Sequence, residues 1–104
     1  SPPPPPPPPR QDPFEQQLQR AAAAERAQNY AQAAQVYREA LRLRPGDARA
    51  TAALRFAETM ADGQRLHAAR QYPAAAMKFE QAARLSPGNP DAQSWLQKAR
   101  DRRP

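Results

Sequence analysis

The chain has 104 residues, a formal net charge of +6, a hydrophobic share of 39% and no cysteine. That length admits one domain, and the missing thiol excludes disulfides, thiolate metal sites and cysteine nucleophiles. Mean hydropathy is −1.00, and no apolar run approaches the ~20 residues a membrane helix needs, so direct membrane insertion is not expected of it.

Ser1 is followed by an unbroken run of eight prolines, Pro2 to Pro9. Proline fixes φ and has no N–H to donate, so the run is expected to extend as polyproline II over roughly 25 Å, at about 3.1 Å per residue. We read it as a spacer. A docking peptide for SH3-like or WW-like grooves needs flanking aromatic or basic residues, and only Arg10 qualifies. Residues 1–11 are thus a linker and 12–104 a helical domain. The chain reads as part of a larger bacterial protein, placed in the periplasm behind an upstream anchor or in the cytoplasm.

Asp12, Pro13 and Glu15 form a helix start, with Asp12 as the cap, Pro13 at the first position and Glu15 closing a capping box. The first helix runs to about Gln28 with Phe14, Leu18, Ala21 and Ala24 on one face. Asn29 and Tyr30 turn the chain. A second helix, from about Ala31 to Arg44, buries Ala33, Val36, Tyr37, Ala40 and Leu41. Pro45 and Gly46 stop it, and Asp47 caps a third.

The third helix has no breaker before Gly63. One glycine costs only about 1 kcal/mol against alanine, so a single helix is expected from Ala48 to about Arg70, with a kink at Asp62–Gly63 as the alternative. Gln71 and Tyr72 turn the chain again, Pro73 opens a fourth helix, Ala74 to Leu85, and Pro87 and Gly88 end it. Asn89 caps a fifth, with Pro90 and Asp91 in its first turn. Its apolar side, Ala92, Trp95, Leu96 and Ala99, suits a terminal cap.

Two of these segments are copies. Tyr30, Ala33, Tyr37, Ala40, Leu43, Pro45 and Gly46 are matched by Tyr72, Ala75, Phe79, Ala82, Leu85, Pro87 and Gly88. A fixed period of this size marks stacked supersecondary units. Much of the apolar share is alanine, so the core is expected to come from close helix approach rather than bulky side chains.

Ala21, Ala33, Tyr37 and Ala40 before Pro45, and Gly63, Ala75, Phe79 and Ala82 before Pro87, resemble the tetratricopeptide repeat (TPR) pattern. In that family small residues let paired helices close up and an aromatic fills the space beside them. The resemblance implies an all-α, right-handed superhelix of antiparallel pairs with five helices. Repeat one covers 14–47, repeat two 48–89, and a capping helix 90–102. The chain departs from the family in having two copies only, in lacking the early tryptophan and leucine-glycine of repeat one, and in its long spacing. The usual period is about 34 residues, so the third helix carries about two extra turns.

No catalytic constellation is visible, and no cofactor or metal is expected. His67 is the only histidine, and no second histidine or cysteine completes a metal site. Glu58 and Asp62 lie near Arg55 and Arg65, as on a solvated ion-pair face. The resemblance therefore implies a non-enzymatic module that binds a partner protein on its concave face. Position matching places Glu15, Leu18, Ala22, Glu25 and Arg26 there from repeat one, and Ala57, Met60, Gln64, His67 and Ala68 from repeat two. The asparagine-and-lysine clamp of chaperone-binding members is missing.

Two other functions compete. Self-association would cover the open ends of so short a stack. Nucleic-acid or anionic-surface binding would use the positive charge. Against the latter, the arginines scatter, cluster only at Arg100, Arg102 and Arg103, and have no aromatics interleaved for stacking on single strands.

Overall fold

The computed structural model of the chain describes residues 1–8 and 12–102. Among the described residues are five α-helices and no strand: α1 Pro13–Arg26, α2 Tyr30–Leu43, α3 Ala48–Ala68, α4 Tyr72–Leu85 and α5 Pro90–Asp101. Residues 1–8 are exposed and belong to no helix or strand. Pro9, Arg10 and Gln11 of the expected linker and Arg103 of the basic tail lie outside the described residues.

Local chemistry sets the helix ends. Asp12, Asn29, Asp47 and Asn89 each accept a hydrogen bond from a first-turn amide, those of Phe14, Gln32, Ala50 and Asp91. Glu15 does not close a box with Asp12; its carboxylate accepts from Arg49, 2.7 Å away. Gln71 stands where Asn29 stands in the first copy, yet makes no side-chain capping bond.

The carboxyl ends of α1 and α3 are alike. Gln28 and Arg70 adopt left-handed φ values of 63° and 62°. Their amides donate to Glu25 and His67, and the next amides, of Asn29 and Gln71, donate back to Ala24 and Leu66. This paired closure satisfies carbonyls that the helix leaves free. It also explains why α3 stops at Ala68, short of the expected Arg70, which belongs to the closing turn. The helix is continuous through Gly63, and Tyr30 and Tyr72, expected in turns, open α2 and α4.

Short turns make chain neighbours antiparallel. The core between them is rich in alanine, with Ala21, Ala33, Ala40, Ala57, Ala75 and Ala82 all at 0% exposure. Such small residues let backbones approach, and Gly63 marks the closest approach. A Cβ there would lie 2.5 Å from the Phe79 ring. Trp95 of α5 stacks on the same ring at 5.5 Å and 26°, so Phe79 has neighbours from both α3 and α5.

α1 and α3 lie side by side and run the same way. Glu15 pairs with Arg49 near one end, and the Gln28 carbonyl accepts from Gln64 Nε2 near the other, separations of 34 and 36 residues. The copies, however, repeat every 42 residues, as Tyr30 and Tyr72 do. α3 therefore overshoots the end of α1. Six residues separate Gln64 from Arg70, which at 1.5 Å per residue is ~9 Å. α5 stands at the level of that overhang. Its Trp95 Nε1 donates to Gln28 Oε1 at 2.7 Å, and Tyr30 donates its hydroxyl to Asp91 Oδ2 at 2.8 Å.

Candidate functional site: a trough between α1 and α3

Two recesses share Tyr37 and Ala53 as lining residues and so lie next to each other, the two ends of a trough between α1 and α3. Glu15, Leu18, Gln19 and Ala22 of α1 form one wall at its first end, facing Arg49 and Ala53 of α3. At the second end Glu25 faces Ala52 and Phe56, and the α4–α5 turn closes it with Leu85, Ser86 and Asn89. α1 supplies this wall because its other face, Phe14 and Ala21, is buried. The Phe14 ring lies under the Arg44 and Arg49 guanidinium groups at 4.4 and 5.8 Å.

The two ends differ in charge. Glu15 is matched by Arg49. Glu25 accepts a 2.5 Å hydrogen bond from the Tyr37 hydroxyl, and Asp91 accepts from Tyr30. Burial raises the Glu25 carboxyl above its ordinary range, the bond from Tyr37 opposes that rise, and the nearby Asp91 charge adds to it. Burial, followed by the bonds to these carboxylates, raises both tyrosine hydroxyls well above their usual value and keeps them protonated as donors.

The residues expected on the binding face divide. Glu15, Leu18, Ala22 and Glu25 line the trough, while Arg26 is exposed beyond it in the last turn of α1. Ala57 and Met60 are at 0% exposure and belong to the core, which removes them from any contact surface. Gln64 is engaged with the Gln28 carbonyl, and Ala68 is exposed near the end of α3.

His67 lines a different recess with Trp95, Lys98, Asp101 and Arg102. The Tyr72 and Trp95 rings meet it edge-on at 5.0 and 5.5 Å. Its Nε2 is buried with no hydrogen-bond partner among the described residues.

Sequence matching missed Arg49, Ala52, Ala53 and Phe56, the α3 wall. It counted along α3 by the 42-residue period, whereas the side-by-side contact with α1 follows 34 to 36. The signal was present in the usual repeat length of the resembling family, applied to the first half of α3 instead of the second. Glu58 and Asp62 form an ion-pair face: Asp62 pairs with Arg65 within α3 and with Lys78 of α4, and Glu58 pairs with Arg38 of α2.

Among the described residues no cluster of three or more His, Asp or Glu converges as a metal site, and no helix is long and apolar enough to cross a membrane. Compared with family models, curated proteins and solved structures, the chain matches none.

Proposed function

We propose that the chain is a non-catalytic protein-interaction module, a TPR-like scaffold unit of a larger bacterial protein, holding a peptide or helix of a partner in the α1–α3 trough. The adjacency of the trough's two recesses, which share Tyr37 and Ala53, carries the reading. Its apolar lining is Leu18, Ala22, Ala52, Ala53, Phe56 and Leu85, mostly short side chains beside which a partner backbone can lie, and Tyr37, bonded to Glu25, is common to both recesses. The antiparallel pairs and the Gly63–Phe79 approach support the resemblance to the repeat family.

The test is selection from a displayed random-peptide library on the immobilised protein. Clones should be lost on Ala22→Arg, which fills the trough from a half-buried position, and kept on Gln93→Arg, an exposed site on α5. Clones insensitive to Ala22→Arg would place binding elsewhere and sink the reading.

A second reading, self-association, rests on Met77, which is 70% exposed beside Pro73 and Ala76. It requires a dimer in light scattering that Met77→Glu disperses.

A further inference from the structure

The trough's second end is lined by Glu25, with Asp91 close enough for its charge to act on that carboxyl. Among the described residues neither carboxylate has a cation within 4.0 Å, in a chain that carries a surplus of cations. Asp12, Glu15, Glu39, Glu58, Asp62 and Glu80 each lie within 4.0 Å of an arginine or lysine. Asp47 caps α3, and Asp101 accepts from Gln97. Glu25 and Asp91 have only tyrosine hydroxyls, and each hydroxyl takes one oxygen: Oε1 of Glu25 and Oδ2 of Asp91. Oε2 and Oδ1 have no hydrogen-bond partner among the described residues.

Any segment that settles into the trough takes water away from these groups. A wholly apolar occupant would leave two like charges desolvated and unpaired, which is strongly unfavourable. An acidic occupant would add a third negative charge. A basic side chain converts the same burial into charge-assisted hydrogen bonds. The first end makes no such demand, because Glu15 already has Arg49, so the preference has a direction along the trough.

We propose that the partner segment is a basic–apolar peptide: a lysine or arginine sits over Glu25 and Asp91 while a neighbouring apolar side chain fills the space between Leu18, Ala22 and Ala53. The inference rests on the reading of the trough as a peptide site.

The experiment uses the peptides selected as above, with the full chain as target. Clones sensitive to Ala22→Arg should share a lysine or arginine a few positions from a leucine, isoleucine, phenylalanine or methionine. Their affinity should fall about tenfold for the Glu25→Gln/Asp91→Asn variant and lose most of its salt dependence there. Both substitutions keep an oxygen for the tyrosine, and circular dichroism checks the fold. If the double variant melts early, Glu25→Gln alone should give a smaller loss of the same kind. Trough-dependent clones without a basic residue, or with affinity unchanged in these variants, overturn this inference and leave the proposed function standing. An absence of trough-dependent clones overturns both.

Discussion

Gly63 and Ala21 occupy the same place in the two copies, and a single methyl group separates them. In an exposed helix Gly→Ala gains about 1 kcal/mol. At Gly63 the added Cβ would meet the Phe79 ring at 2.5 Å, and that ring is stacked on Trp95. Overpacking of this kind costs about 1–3 kcal/mol, so Gly63→Ala should lower stability in a denaturant titration despite the better helix propensity. The sequence marks Gly63 as one of the small repeat residues. Why it must be so small shows only in the structure, where the Phe79 ring lies against it.

Glu25 carries a pH signature of its own. Its folded carboxyl lies above the ordinary 4.5 because of burial, so the native state holds that proton more tightly than the unfolded chain. The associated stability is fully present below about pH 4.5 and is lost as pH rises through the raised folded value. Glu25→Gln cannot ionise, so it should raise the melting temperature at pH 7 and leave it almost unchanged at pH 4. Equal shifts at both pH values would contradict this account.

At the scale of elements, chain chemistry made most of the fold readable. Asp12, Asp47 and Asn89 announced three helix starts, and Pro45–Gly46 and Pro87–Gly88 two helix stops; Asn29, expected in a turn, proved to be a fourth cap. Where the copies differ, the consequence is measurable. Asn29 and Gln71 have nearly the same backbone, φ −96° and ψ 76° against φ −94° and ψ 68°, but only Asn29 bonds the amide three residues on. Gln71→Asn should therefore stabilise the chain by about 0.5–1.5 kcal/mol, seen as a shifted denaturation midpoint with unchanged slope.

The lateral register of α3 was not readable, because a period records which residues are copied and not which become neighbours. The relative register of α1 and α3 is marked by the contacts of Glu15 with Arg49 and Gln28 with Gln64. No pattern within either helix specifies those pairs. The same gap explains the trough. Leu18, Ala22 and Glu25 came from position matching to the resembling repeat family, but Ala53 and Phe56 could be placed opposite them only once that register was known.

For the whole molecule, the fifth helix does more than close an end. Trp95 contacts the Phe79 ring, the His67 ring and the Gln28 side chain, which belong to α4, α3 and the α1–α2 turn. Trp95→Ala should cost roughly 3 kcal/mol, at the low end for a large aromatic because this one is half-buried. It should also reduce hydrogen-exchange protection at the distant α1–α2 turn as well as in α5. Loss confined to α5 would mean that the ends of the chain are not coupled.

The overhang of α3 limits how this architecture could grow. Helical repeats usually polymerise because each unit presents to the next the same surface it receives. Here one helix is read in one frame by α1 and in another by α4, a mismatch of about six residues. If the segment 48–89 were copied in tandem, each unit would be displaced ~9 Å along its helix axis from the one before. The troughs would climb like the treads of a staircase and never merge into one channel. Removing six or seven residues from the end of α3 would bring the treads level, making the length of one helix the setting that separates a stepped stack from an extendable array.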